Sequence, residues 1–73
     1  MFSYDKEYIT LLKNKYPKGT RVKLIYTSDP YTRLQSGECG TVRIVDDVGT
    51  IHINWDRGSC LGLIPGEDAF KII

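Results

Sequence analysis

The chain has 73 residues, of which 41% are hydrophobic and 26% are charged, and these values predict one small globular domain spanning residues 1–73. They exclude a disordered tail, and no apolar run approaches the roughly 20 residues that a membrane-spanning helix needs. The net charge of +1 gives no compositional argument for binding nucleic acid or an anionic membrane.

The first residues lack the basic-then-apolar order of a signal peptide, so we expect a cytoplasmic protein. Metal-binding cysteines usually come as close pairs, whereas Cys39 and Cys60 stand far apart and His52 is the single histidine. We therefore expect two free thiols, no metal and no cofactor, although the spacing leaves a disulfide between the two cysteines open.

Residues 3–15 predict a short amphipathic helix that ends before Pro17. We expect Ser3 to be the N-cap, because a serine side chain can accept a hydrogen bond from the first turn. A helix this short is marginal alone, so its apolar face should pack on the rest of the domain. The expected apolar face consists of Tyr4, Tyr8, Leu11 and Leu12.

From Thr20 onward the hydrophobic pattern has a period of two, which is typical of half-buried strands. The five predicted strands are TRVKLIY at 20–26, GTVRIV at 40–45, TIHINW at 50–55, SCLGLI at 59–64 and FKII at 70–73. The residues expected to face inward are Val22, Leu24 and Tyr26, then Val42 and Ile44, then Ile51, Ile53 and Trp55.

The connections between these strands differ in length, and the first is the longest. Residues 27–38 form a loop of a dozen residues, which in a compact domain marks a candidate functional loop. Residues 46–49 and 56–58 predict tight turns, and residues 65–68 predict a one-turn connector. This order predicts a mainly β fold, a five-stranded SH3-like barrel at 20–73 with an added N-terminal helix.

The segment IHINWDRGSCLGLIPG at 51–66 contains residue types found in active sites, but its pattern predicts a hairpin. His52 alternates with buried isoleucines and should lie on the outer face, and no nucleophile elbow surrounds Ser59. Asp56 begins a turn, where an Asp side chain can accept a hydrogen bond from the backbone two residues on. We therefore expect no enzymatic activity.

Five motifs lie along residues 16–73: Tyr-Pro-x-Gly-Thr-Arg-Val at 16–22, Asp-Pro at 29–30, Gly-Thr-Val with Val-Asp-Asp at 40–47, Ile-His-x-x-Trp-Asp-x-Gly-Ser at 51–59 and Leu-Ile-Pro-Gly-Glu-Asp-x-Phe at 63–70. With these motifs the chain resembles a small domain-of-unknown-function family of Gram-positive bacteria and their phages and mobile elements. Residues 40–59 are also similar, more loosely, to SH3-like modules that bind proteins or nucleic acids. The resemblance implies the fold and assigns no activity.

We expect the chain to be an interaction module that binds a protein partner through the 27–38 loop and adjacent side chains. Exposed tyrosine, tryptophan and arginine are the residue types that carry most binding energy at interfaces. Trp55 should be chiefly a core residue whose edge reaches the surface. The expected contact residues are Tyr26, Tyr31, Arg33, Trp55 and Arg57.

Nucleic-acid binding is the alternative hypothesis, because five basic residues without an acidic one fall within residues 13–23. They would contact phosphates and make the affinity depend steeply on salt. An ordinary solvated face on a helix end and a first strand explains the same pattern. The residues in question are Lys13, Lys15, Lys18, Arg21 and Lys23.

Overall fold

A computed structural model describes residues 5–73 and shows a mainly β fold, with one α-helix and one five-stranded antiparallel sheet. The elements in chain order are α1 (Lys6–Lys15), β1 (Arg21–Tyr26), β2 (Cys39–Val45), β3 (Ile51–Trp55), β4 (Gly62–Leu63) and β5 (Ala69–Ile72). The mainly β class, the N-terminal helix and the five strands of the sequence prediction are thereby confirmed.

The strands follow the order β4-β3-β2-β1-β5, so a meander of four strands is extended by β5, which returns to lie beside β1. No strand pairing within residues 5–73 joins β4 to β5, and the sheet is therefore open. The closed barrel of the sequence prediction is not confirmed. Only two residues of the predicted 59–64 strand pair with β3, and Pro65, which lacks an N–H donor, follows directly after Ile64.

The core lies on one face of the sheet, where inward residues of the first four strands meet. Val22, Leu24, Val42, Ile51, Ile53 and Leu63 are the largest side chains that are fully buried. The alternation Ile51, Ile53, Trp55 predicted for β3 is confirmed, because all three are buried. Trp55 packs over Gly40 of the neighbouring strand, where the backbone has room for no side chain.

Helix α1 begins after Asp5, whose side chain accepts a hydrogen bond from the Glu7 N–H at 2.9 Å. Asp5 is therefore its N-cap, while Ser3 and Tyr4 lie outside the described residues. The buried residues of this segment are Ile9, Leu12 and Tyr16, which recur at helical spacing and face the sheet. Tyr8 and Leu11, which were expected in the apolar face, are exposed.

Two β-bulges overturn the inward assignment of Tyr26 and Ile44. The register shifts between Leu24 and Tyr26 in the β1–β5 pair, and between Val42 and Ile44 in the β2–β3 pair. A bulge places one extra residue in a strand, so the side chains beyond it change faces. Tyr26 is consequently 61% exposed and Ile44 53% exposed, and Val45 is buried instead.

Across residues 5–73, no helix combines the length and the apolar character needed to cross a membrane.

Candidate functional site

The candidate site is the loop of residues 27–38 between β1 and β2, together with the turn at 56–58 that lies beside its second half. The loop contains no helix or strand, as predicted. Hydrogen bonds and one buried side chain hold it at its start, its middle and its end. Its shape is therefore set by contacts with the sheet and not by regular structure.

The start of the loop is held by Asp68, which lies in the connector before β5. Asp68 Oδ1 accepts hydrogen bonds from the Ser28 N–H at 2.8 Å and from the Thr27 and Ser28 hydroxyls at 3.1 and 3.2 Å. Asp68 Oδ2 accepts from the Ile64 N–H at 2.8 Å. Partial burial alone would raise the pKa of Asp68, but these donors outweigh it and lower the pKa below its ordinary value.

The middle of the loop is held by Leu34, which is buried and belongs to the core cluster. The backbone after Leu34 turns back onto β1, because the Gly37 N–H donates to the Leu24 carbonyl at 2.7 Å. Gly37 has a φ of +96°, a conformation that side chains disfavour. Leu34 therefore divides the loop into an exposed tip before it and a turn against the sheet after it.

The end of the loop is held by Glu38, whose carboxylate has two partners. Glu38 Oε2 accepts from the Gln35 N–H at 2.7 Å, and Oε1 accepts from Arg57 Nε at 2.7 Å. The hydrogen bond from Gln35, followed by that from Arg57, lowers the pKa of Glu38. This contact brings the loop and the 56–58 turn together.

The tip of the loop presents Tyr31 to solvent. Asp29 Oδ1 accepts a hydrogen bond from the Tyr31 N–H at 2.9 Å, and Pro30 between them restricts the backbone further. The Asp29 N–H in turn donates to Thr27 Oγ1 at 3.2 Å. Tyr31 is 91% exposed, and Arg33 two residues on is also exposed. The tip is thus an aromatic and a basic side chain on a defined turn.

Trp55 does not contribute the exposed edge that the sequence analysis expected. It is only 3% exposed, and its indole N–H donates to the Leu61 carbonyl at 2.9 Å. The hydrogen bond satisfies the one polar atom of the side chain inside the protein, so the whole ring belongs to the core. Of the expected contact residues, Tyr26, Tyr31, Arg33 and Arg57 lie at the surface, and Trp55 does not.

Sequence reasoning missed Asp68 and Glu38 as the residues that hold the loop. Asp68 contacts residues some 40 positions earlier in the chain, and spacing does not reveal contacts of that kind. An Asp in a turn is expected to accept a hydrogen bond from the N–H two residues on. The N–H that Asp68 accepts from in the connector is that of Ile64, four residues earlier, so the rule predicts neither this contact nor those with Thr27 and Ser28.

His52 lies on the outward side of β3, as predicted, and its partner is a turn residue. His52 Nε2 donates to Asp46 Oδ2 at 2.7 Å, while Asp46 Oδ1 accepts from the Val48 and Thr50 N–H groups. Partial burial raises the pKa of Asp46, but His52 and the two backbone donors outweigh it and lower that pKa. The pair closes the β2–β3 turn, so the histidine has a structural partner.

The basic stretch at 13–23 is divided by the fold. Lys13 Nζ lies 3.0 Å from Asp47 Oδ1, and Lys15 Nζ lies 5.5 Å from the centre of the Tyr16 ring. Arg21 forms a bidentate pair with Asp56, whose pKa it lowers. Asp56 was expected to cap its own turn and instead binds this distant arginine. The five cations therefore do not form one continuous unpaired patch.

Both cysteines are free thiols, Cys39 half-buried and Cys60 exposed. In the part of the chain that the structure describes, no three or more His, Cys, Asp or Glu side chains are grouped so that they could hold a metal ion.

One family is shown by comparison with known proteins. The sequence model of the family described as "Domain of unknown function (DUF4314)" matches residues 5–73. No match was found among curated proteins. Because the match extends over the helix, every strand and the candidate loop, the chain belongs to this family of domains of unknown function.

Proposed function

We propose that the domain is a non-enzymatic module that binds a protein partner through the tip of the 27–38 loop. The observation that carries the proposal is that Tyr31, 91% exposed, stands on a turn whose backbone is held on both sides. Tyrosine and arginine are enriched among residues that dominate interface energies. A loop that is already ordered also loses less entropy when it binds.

The proposed contact surface consists of Tyr31 and Arg33 at the tip, with Tyr26 at the end of β1 beside the loop. Arg57 stabilises the loop that carries this surface, because its guanidinium donates a hydrogen bond to Glu38 at the end of the loop. Trp55 does not belong to the proposed surface, because it is buried. The partner would therefore meet two tyrosines and an arginine on the loop side of the domain.

An affinity capture from native lysate tests this surface. The bait proteins are the wild type, the double variant Tyr31→Ala/Arg33→Ala and a matched control, Leu11→Ala/Lys6→Ala, which removes one exposed apolar and one exposed basic side chain from α1. We expect a partner that binds the wild type and the control and is lost from the loop variant. Identical sets of captured proteins for all three baits would contradict the proposed surface.

We interpret the open sheet as an SH3-like barrel that is incompletely closed. The interpretation is supported by the strand order, in which β5 returns to β1 after a four-stranded meander, and by the long first loop. Nuclear Overhauser contacts between residues of β4 and residues of β5 test it. Packing of the β4 end of the sheet against the β5 end supports the interpretation, and a sheet whose two edges diverge into solvent contradicts it.

We also propose, from the motifs along residues 16–73, a cytoplasmic protein of Gram-positive bacteria or of their phages and mobile elements. The genes that flank its own gene test this. A setting among phage or conjugative genes supports the proposal, and a setting among housekeeping genes of another bacterial group contradicts it.

Nucleic-acid binding is the second proposal, and one observation favours it. Lys23 of β1 stands directly opposite Lys71 of β5, and Arg21 lies on the same outward face. Like charges directly opposite each other destabilise a strand pair, and a bound phosphate would relieve their repulsion. Binding of single- or double-stranded DNA or RNA at low salt, lost in a Lys23→Gln/Lys71→Gln variant, supports it; no binding to any of them removes it.

A further inference from the structure

A groove lies on another side of the domain, between the C-terminal end of α1 and the outer part of β2. Its volume is about 350 Å³, and it opens to solvent along its length. The floor is apolar and consists of Tyr16, Pro17, Ile44 and Val45. Three cations, Lys13, Lys18 and Arg43, line its sides. None of the residues of the 27–38 loop belongs to this groove.

The bulge in β2 contributes two residues to the lining of the groove, Arg43 and Ile44. The register shift between Val42 and Ile44 leaves Arg43 and Ile44 both exposed, where strict alternation would turn one of them inward. Ile44 is 53% exposed, although it stands in a strand with buried positions on either side of the Arg43–Ile44 pair. Bulges often re-aim side chains at functional surfaces. Here the bulge places an aliphatic side chain beside an arginine.

The cations of the groove are available to an anionic ligand. Lys18 and Arg43 form no salt bridge with any acidic side chain of residues 5–73. Lys13 is bound by Asp47, but the Asp47 side chain is 93% exposed, and ion pairs so exposed contribute little. An incoming carboxylate can therefore take the place of Asp47. The existing pair also shows that the Lys13 ammonium can donate a hydrogen bond to a carboxylate oxygen at 3.0 Å.

We propose that this groove binds an acidic peptide segment of a protein partner, with an aliphatic side chain on Ile44 and carboxylates on the three cations. The charge of the rim and the apolar floor fit such a segment together. A nucleic acid fits less well, because single strands bind by stacking bases on exposed aromatic rings. The ring at this floor, Tyr16, is buried and packs against Phe70 with ring centres 5.4 Å apart.

The groove is a second interaction surface, independent of the loop, and an NMR titration tests it. Uniformly ¹⁵N-labelled protein is titrated with a short synthetic peptide in which two leucines stand between runs of glutamate. The matched peptide carries lysine in place of every glutamate, and a short oligothymidylate is the nucleic-acid probe. We expect shift changes from the acidic peptide alone, centred on the amides of Lys18, Arg43 and Ile44.

Variants separate the roles of charge and apolar contact. Arg43→Gln should weaken peptide binding about two- to fivefold, which corresponds to one exposed ion pair. Ile44→Ser should weaken it about fivefold, because it removes the apolar contact. Asp47→Asn should strengthen it, since Lys13 is then free. Lys6→Gln, which removes one exposed charge from the first turn of α1, should leave the affinity unchanged.

Several outcomes overturn the proposal. It fails if the acidic peptide causes no shift changes, or causes them outside the groove. It fails equally if the oligothymidylate binds the groove and Ile44→Ser leaves the affinity for the acidic peptide unchanged, since the site is then a plain anion site. The Tyr31→Ala/Arg33→Ala protein should bind the peptide as the wild type does, so that failure of the loop surface and failure of the groove are distinguished. Dispersed ¹⁵N spectra of each variant establish that it folds.

Discussion

Arg21 and Asp56 join the first strand to the turn after the third, because the guanidinium donates to both oxygens of the carboxylate at 2.7 Å each. Arg21 also donates to Thr41 Oγ1 at 2.9 Å, so it crosses the middle strand of the sheet. Bidentate pairs of this kind fix geometry more strongly than single contacts do. The pair therefore fixes the position of the 56–58 turn relative to β1. Arg57, which lies in that turn, positions Glu38 through their hydrogen bond.

The first prediction concerns this pair. Asp56→Asn should lower the melting temperature at neutral pH, and the loss should shrink at high salt because both side chains are partly exposed. Arg21 lowers the pKa of Asp56, so this contribution is present above the ordinary Asp pKa and is lost as the pH falls through the lowered value. Thermal unfolding at several pH values measures it.

The double variant Arg21→Gln/Asp56→Asn is the control for that prediction. If the two side chains stabilise the protein through each other, the second substitution adds little to the first. Fully additive losses would show that each residue acts through other contacts.

The second prediction concerns the pair of Asp46 and His52. Asp46→Ala should lower the free energy of unfolding by about 1–2 kcal/mol, because the Val48 and Thr50 N–H groups lose their acceptor. The folded protein lowers the pKa of Asp46, so its contribution is complete above the ordinary Asp pKa and disappears as the pH falls through the lowered one. Urea unfolding curves recorded from neutral to acidic pH measure this.

The variant His52→Gln distinguishes the contribution of the histidine to stability from that of the turn. It leaves both backbone hydrogen bonds of Asp46 in place, so it should destabilise the protein less than Asp46→Ala does. A larger loss from His52→Gln would show that the histidine, and not the turn, is the stabilising partner.

The sequence predicts those parts of the fold that depend on local patterns. Ile51, Ile53 and Trp55 alternate without interruption, and β3 is found as expected. Tyr26 and Ile44 follow the same pattern but lie beyond bulges, and period-two reasoning contains no signal for an extra residue. Leu11 was assigned to the buried face of α1, but the face that docks is set by where the sheet lies, which gives Ile9, Leu12 and Tyr16.

The candidate site was predictable only where it depends on local sequence. The length and composition of residues 27–38 predicted a loop, and Tyr31 and Arg33 are exposed there. The contacts that order it join residues distant in sequence, Ser28 with Asp68 and Glu38 with Arg57. Trp55 was expected in the core with its edge at the surface, and the position of the Leu61 carbonyl explains why the N–H at that edge is satisfied inside.

The third prediction concerns Gly40. A Cβ at this position would lie 2.5 Å from Ile53 Cγ2 and 3.0 Å from both the Asn54 carbonyl oxygen and Trp55 Cε3. The Asn54 backbone and the Trp55 ring can shift only at a cost in packing energy. Gly40→Ala should therefore lower the free energy of unfolding by about 1–3 kcal/mol. Trp55 is the single tryptophan, and its fluorescence should therefore change with the substitution.

Gly58→Ala is the matched comparison. Its added Cβ meets no atom within 4 Å, and its cost comes from the φ of +105° alone. It should destabilise the protein without altering the emission of Trp55 in the folded state. If both variants leave the Trp55 emission unchanged, close packing of Trp55 on Gly40 is wrong.

The last prediction concerns Asp68 and the order of the loop. Asp68→Asn replaces one acceptor oxygen with an amide donor, so either the Ile64 N–H or the donors of Thr27 and Ser28 lose their partner. We expect a loss of about 1–3 kcal/mol in stability and faster amide hydrogen exchange at Ser28. The neighbouring Glu67→Gln removes the same charge from an exposed side chain and should change neither quantity. If both variants exchange at the wild-type rate at Ser28, Asp68 does not order the loop, and the entropic advantage claimed for Tyr31 in partner binding loses its support.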